Sequence, residues 1–326
     1  MKGVETISPI FISVLYRSGS TLLCHILNQS NELKISCDTI HYLRFSFNKY
    51  NPIEKKYREL VLDTHNRIKE KWDDCLNVKE ITDKISCFKK ITNSVVYNEI
   101  MNSFLKIKKN ERWGDRTAVN WEGMNDFINM FPNGKAIHIY RDPRAVLASF
   151  KKFTKHKGLM YLDSVFASLS MFNFIQSIKS FDKNIYLIKY ENLVKEPEIE
   201  INKLCEFLGI AYSKKMLDVS SFKCKTGASG SNSSFTGSRD KIDDKSINIW
   251  NNYLNNVEIY LTEMVLRDKM VKFGYELTGI DLNLHEFNEL HQMLHSDFLS
   301  KRYLYWIKNA NGQQAYPDTL GAYNLN

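Results

Sequence analysis

Residues 10–28 read Ile10-Phe11-Ile12-Ser13-Val14-Leu15-Tyr16-Arg17-Ser18-Gly19-Ser20-Thr21-Leu22-Leu23-Cys24-His25-Ile26-Leu27-Asn28. Ile10 to Tyr16 is a short apolar, β-branched run, the pattern of a buried strand. Leu22, Leu23, Ile26 and Leu27 recur at helical spacing over 21–27. Between strand and helix lies a tight polar turn, Arg17-Ser18-Gly19-Ser20. Such a turn leaves backbone N–H groups at a helix N-terminus, where roughly half a positive charge favours an anion. Arg17 adds a guanidinium beside it. The stretch therefore reads as a phosphate-type cradle or, more plainly, as a first βα unit with a polar loop. It is not a Walker A loop, G-x-x-x-x-G-K-[ST], because it has one glycine and no lysine.

Outward from this stretch, strands alternate with helices, which predicts an α/β fold with a central parallel sheet covered on both sides. Glu32 to Cys37 is strand-like and leads into Asp38-Thr39-Ile40-His41. Residues 42–112 are polar and Lys-rich, with helical faces such as Tyr57, Leu60, Val61 and His65. They read as a helical insertion over one end of the sheet. Trp113 to Thr117 reads as a polar loop, and Met124 to Phe131 as a helix. Ala136 to Tyr140 is a second buried strand, followed by Arg141-Asp142-Pro143-Arg144 and a helix. Asp142 suits an N-cap and Pro143 the first helical position. An arginine thus ends a strand where a helix begins for the second time. Arg144 and His25 read as a solvated helix residue and a packing residue. A helix over 162–180, a strand over 184–189 and a helix over 198–208 follow. Residues 226–237 form a Ser- and Gly-rich loop, and 247–273 are mainly helical. Residues 1–280 are expected to form the main domain. Residues 281–326 read as a helical extension and tail, in which His285, His291 and His295 mark a helix face rather than a metal motif.

The chain has 326 residues, 43% hydrophobic and 25% charged, enough for a sizeable core. Its 45 Lys and Arg exceed 37 Asp and Glu, for a net charge of +8. That balance suits anionic partners, although scattered surface lysines explain it equally well. The six cysteines form no C-x-x-C pair or zinc spacing, which fits a reducing compartment. No segment reads as a signal peptide or as long enough to span a membrane. A cytoplasmic protein without stable membrane insertion is expected.

Four motifs in order resemble those of PAPS-dependent sulfotransferases (PAPS, 3′-phosphoadenosine 5′-phosphosulfate) over about residues 8–277. Tyr-Arg-Ser-Gly-Ser-Thr-Leu-Leu resembles their 5′-phosphosulfate loop. Ile-Tyr-Arg-Asp-Pro-Arg-Ala-Val-Leu-Ala-Ser-Phe resembles their 3′-phosphate motif, with Arg141 eight residues before Ser149. Ile-Lys-Tyr-Glu-Asn-Leu-Val-Lys-Glu-Pro, with Cys-Glu-Phe-Leu-Gly-Ile, resembles the late strand-and-helix block. Ser-Asn-Ser-Ser-Phe, Trp250 and Phe-Gly-Tyr resemble the closing segment.

The resemblance implies a P-loop-like three-layer fold. It implies sulfuryl transfer from PAPS to a hydroxyl or amine, with release of PAP and no metal requirement. Arg17, Ser18, Gly19, Ser20, Thr21 and Leu22 would hold the 5′ end of the donor, and Arg141 with Ser149 the 3′-phosphate. Similarity to the tyrosylprotein-sulfotransferase-like and bacterial branch places its acidic base at Asp38, 21 residues after Arg17. The same comparison places a catalytic cation at Arg116, where that branch has Lys, and a serine at Ser234. Asp for Glu shortens the reach, and Arg for Lys keeps charge but changes geometry. An unperturbed Asp titrates at about 3.9, so it is a weak base unless desolvated or acting in concert with transfer. His41 is the alternative base. Acceptors of small-molecule, glycan, lipid or peptide type all fit, and nucleic acid is not expected as a partner. The rival readings are a P-loop-type nucleotide kinase and a non-catalytic nucleotide-binding protein. Oligomeric state has no signature in the sequence.

Overall fold

The computed structural model describes residues 7–154, 158–178, 183–220 and 242–308. Five strands build the centre: β1 (Ile10–Val14), β2 (Leu33–Cys37), β3 (Arg112–Ala118), β4 (Lys135–Tyr140) and β5 (Ile185–Lys189). They form one parallel sheet in the order β2-β3-β1-β4-β5. The chain leaves β1 toward β2 on one side and leaves β4 toward β5 on the other. The switch point of this topology lies between β1 and β4, where open parallel sheets form a crevice beyond their C-terminal ends.

Among the described residues, thirteen α-helices surround the sheet. The first is α1 (Ser20–Asn28). The segment between β2 and β3 holds α2 (Tyr42–Phe45), α3 (Ile53–Trp72), α4 (Val78–Ser86) and α5 (Asn93–Leu105). Then follow α6 (Gly123–Met130), α7 (Pro143–Thr154), α8 (Asp163–Ser177), α9 (Tyr190–Lys195) and α10 (Pro197–Leu208). The last three are α11 (Asn256–Lys272), α12 (Leu284–Leu294) and α13 (Asp297–Lys308).

The core follows from the alternation of side chains in each strand. Ile10, Phe11, Ile12 and Val14 are fully buried, each worth about 1.5–3 kcal/mol of burial for its type. Phe11 meets Phe127 of α6 on one face, with ring centroids 5.4 Å apart. Cys37 meets Cys24 of α1 on the other. The insertion docks through Tyr97 of α5, which stacks on Tyr42 of α2 at 4.3 Å and lies 4.9 Å from Trp113. The Tyr97 hydroxyl donates to Asp115 at 2.6 Å. Burial pushes the Asp115 carboxyl up to about 6.

Three expectations change. Trp113 to Thr117 is not a loop but most of β3, paired to both β1 and β2. Its glycine and charges read as exposed, yet Asp115, Arg116 and Thr117 are buried in the sheet, with Asp115 bonded to Tyr97 and Arg116 paired with Asp38. Arg144 is not solvated. It is buried between Asp142 and Glu263, with nitrogen–oxygen distances of 2.7 Å to each, and lies 4.1 Å over the Trp250 ring. Finally, Gly158–Ser177 is long and apolar enough by composition to cross a membrane, although 67% of its apolar window is buried inside the protein. It packs against α7, α11 and α13 as a core helix. Helix α13 is held to it by Asp163, which accepts from Arg302 at 2.6 Å and from Trp306 at 2.8 Å.

Candidate active site

The site is assembled where strands β1 to β5 end. Strain marks this rim: Arg17 after β1, Asp38 and His41 after β2, and Val119 after β3 all have left-handed backbone, with φ of 65°, 54°, 50° and 55°. Non-glycine residues hold that conformation only where the surroundings over-determine it.

The turn after β1 opens directly into α1. Its N-cap is Gly19, at φ 91° and with no side-chain cap, so the helix end is presented as an anion cradle. A Cβ at Gly19 would overlap the ring of Tyr190, which packs on the turn. Ser18 is fully buried. Its Oγ has no hydrogen-bond partner among the described residues.

Arg17 reaches across the switch point. Its Nε donates to Ser149 Oγ of α7 at 2.8 Å. Its carbonyl accepts from Arg141 Nη1 at 3.1 Å. Arg141 Nη2 donates to the Ser246 carbonyl at 2.6 Å, and its guanidinium lies 4.3 Å over the Tyr190 ring. Tyr190 closes the ring of contacts through its hydroxyl, 2.7 Å from Ser246 Oγ. Arg141 Nε has no partner among the described residues. Ser246 lies outside all four sequence motifs. Tyr190 lies within one, but nothing in its spacing marks it as the floor of the turn. Both were missed because their roles arise from tertiary contact.

On the other side of β1, Arg116 and Asp38 form an ion pair through Nη1 and Oδ2. Register explains it: Arg116 lies beside Cys37 in the β2–β3 ladder, and the Asp38 amide donates to the Arg116 carbonyl at 3.2 Å. The Asp38 side chain is 35% exposed while that of Arg116 is 7% exposed, so the carboxylate alone faces the open rim. Burial pulls the Arg116 guanidinium down, but Asp38, Cys24 and Cys37 together outweigh it and the proton is held more tightly than usual. Arg116 Nε lacks a partner among the described residues.

His41 Nε2 lies 3.7 Å from Asp38 Oδ1, beyond a hydrogen bond. Burial, then the charges of Arg44, Arg67, Lys71 and Arg116, push His41 well below its usual value. Its ring is neutral at neutral pH and a poor proton acceptor. Cys24 and Cys37 hydrogen-bond beside Arg116, and burial raises the Cys24 thiol.

The structure thus brings Arg17, Ser149 and Arg141 into one connected set, and Asp38, Arg116 and His41 into a second. Ser20 caps nothing and opens α1, with Thr21 and Leu22 in its first turn. Ser234 lies outside the described residues.

The surroundings of these residues suit a nucleotide bearing two phosphate ends. One end has a helix N-terminus and the other a buried arginine and serine. Unpartnered donors at Ser18, Arg116 and Arg141 are what a bound polyanion would satisfy.

Comparison with known proteins agrees with this reading of the fold. The sulfotransferase domain of the Synechococcus PCC 7002 olefin synthase superposes with a TM-score of 0.54 at 19% identity, covering 84% of this chain and 98% of that one. The sulfotransferase domain from the curacin biosynthetic pathway gives 0.50 at 18% identity, covering 84% and 99%. No curated protein matches the chain. The model described as "Sulfotransferase family" matches residues 9–214, well over half the chain and every element from β1 to α10. The chain belongs to the sulfotransferase family.

Proposed function

We propose that the chain transfers the sulfuryl group of PAPS to a hydroxyl or amine of a small-molecule, glycan, lipid or peptide acceptor, releasing PAP. The observation that carries this reading is the connected set Arg17–Ser149–Arg141 at the switch point, one strand away from the Arg116–Asp38 pair. A kinase would need a lysine in the first turn, which has none. A pure binding protein has no use for an acid held at the open rim beside a buried cation.

Sulfuryl transfer is an in-line displacement, catalysed mainly by positioning and by charge placed where it develops. The first turn and Arg17 would hold the 5′ end, with Ser20 and Thr21 hydroxyls as further donors. Arg141 and Ser149 would hold the 3′-phosphate. Arg17 and Arg116 would stabilise charge growing on the leaving phosphate. Asp38, the exposed partner of its pair, would take the acceptor's proton. His41 is buried and kept neutral, so it is not assigned as the base. Arg116 faces two anions in turn: Asp38 before the donor enters and the donor's phosphate afterwards. That exchange would free the carboxylate as the reaction begins.

Calorimetry tests the donor: PAP should bind far more tightly than ADP, and equal affinities would sink the assignment. Transfer of labelled sulfate from PAPS into an extract, followed by mass spectrometry of the products, identifies the acceptor. With that acceptor, Asp38→Asn should lower kcat by roughly 10²- to 10⁴-fold while PAP affinity stays close to wild type. An active Asp38→Asn enzyme with an inactive His41→Gln enzyme would move the base to His41.

A further inference from the structure

The loop 38–41 carries the proposed base in a conformation that its own sequence does not favour. Asp38 and His41 are both left-handed, at roughly 1–2 kcal/mol per non-glycine residue. Between them Thr39 and Ile40 are fully buried, so their carbonyls need donors. Thr39 Oγ1 reaches back to the Cys37 carbonyl at 3.0 Å, which leaves the Thr39 and Ile40 carbonyls for another element. Arg67, in the C-terminal half of α3, supplies both donors. Its Nη1 donates to the Thr39 carbonyl at 3.0 Å and its Nη2 to the Ile40 carbonyl. The same guanidinium lies 4.7 Å from the Phe45 ring, which packs edge-on against His41 at 5.6 Å.

We propose that Arg67 is a positioning residue: its planar fork clamps two successive carbonyls of the 38–41 loop and so aims the Asp38 carboxylate at the rim. A planar guanidinium can bridge two adjacent carbonyls, whereas an ammonium offers one point of charge. The clamp also gives the 42–112 insertion a part in the chemistry, through one arginine that no motif marks. The charged groups facing His41 are Arg44, Arg67, Lys71 and Arg116, with Asp38 opposite, so removing Arg67 takes away one of four cations there. The catalytic half of this proposal rests on Asp38 as the base; the conformational half does not.

The test uses full-length Arg67→Met and Arg67→Lys proteins with an NMR titration of the His41 ring and three further readouts. These are amide hydrogen exchange over residues 38–45, PAP affinity by calorimetry, and kcat from PAPS with the acceptor found above. Arg67→Met should speed exchange across the loop by about tenfold or more. It should lower kcat by about 10- to 100-fold, the scale of a small misplacement, with PAP affinity within about threefold because the donor contacts lie on other elements. Arg67→Lys should fall between Arg67→Met and wild type. The His41 ring, followed by NMR, should titrate at higher pH in Arg67→Met. Loop exchange within about twofold of wild type overturns the clamp, and so does a loss of PAP affinity equal to the loss of kcat. Faster loop exchange in Arg67→Met, together with a wild-type protein that transfers nothing from PAPS, keeps the clamp and removes the proposed function. If Arg67→Met does not fold, Arg67→Lys decides: wild-type exchange and kcat overturn the proposal.

Discussion

The turns after β1 and β4 share a plan, a strand ending in arginine before a helix, but they use their helix ends in opposite ways. In the first, Arg17 is left-handed, Gly19 follows at φ 91°, and no side chain caps α1. In the second, the Asp142 carboxylate accepts from the Arg144 amide at 2.8 Å. The Asp142 amide itself donates to Glu191 Oε1 at 2.9 Å. The first helix end is kept open for a ligand's charge and the second is filled by the protein's own acids. In the proposed reading, anion recognition at the second turn would fall to side chains, Arg141 and Ser149, and not to the dipole. One supersecondary pattern yields two kinds of helix end, and the difference is decided by whether an acid stands at the N-cap.

The largest effect that could break this contrast is expected at Gly19. Gly19→Ala places a methyl into the Tyr190 ring in a left-handed backbone. It should cost about 3 kcal/mol of stability, read as a fall in melting temperature, and abolish measurable PAP binding. Next, Arg141→Ala should weaken PAP by about 100-fold in calorimetry, as for loss of charged hydrogen bonds worth about 2–3 kcal/mol; unchanged affinity would refute its assignment. Asp142→Ala should do the reverse. Loss of the cap should cost about 1–2 kcal/mol in denaturant unfolding, with PAP affinity kept within about threefold. A large loss of affinity would show that the second helix end does bind the ligand. The smallest effect concerns pH. Burial raises the Glu191 carboxyl above its usual value of 4.5. Its contribution to stability is then full below about 4.5 and is lost as pH rises through the folded value. Glu191→Gln should flatten the fall in melting temperature above that pH, and an unchanged profile would remove Glu191 as its cause.

The parallel α/β plan was readable because β1, β4 and the helices after them have clean periodicity and clear turn residues. Arg17 and Arg141, the arginines that end these two strands, stood out for the same reason. Strand β3 was hidden, since Gly114, Asp115, Arg116 and Thr117 look like loop residues until neighbouring strands bury them. Asp115 is polar because Tyr97 of a distant helix donates to it, and Arg116 because Asp38 pairs with it. Counting along the chain could therefore name Arg116 without revealing its strand. Arg144 misled in the same direction, because its partner Glu263 lies 119 residues away. Tyr190, Ser246 and Arg67 carried no local signal, because each acts through the backbone or ring of a residue remote in sequence.

The double use of Arg17 has a thermodynamic consequence. Its side chain holds Ser149 while its carbonyl holds Arg141, so in the proposed reading the contacts for the two ends of the nucleotide would share one residue. The ends should then report to each other: filling the 3′ subsite fixes Arg17 and preorganises the 5′ subsite. Ser149→Ala and Arg141→Ala, combined, should fall short of the sum of their separate effects on PAP binding, with a coupling of about 0.5–3 kcal/mol. Free phosphate or sulfate, which can fill one end only, should gain nothing from that coupling, and the enzyme would select its donor by length as well as by charge.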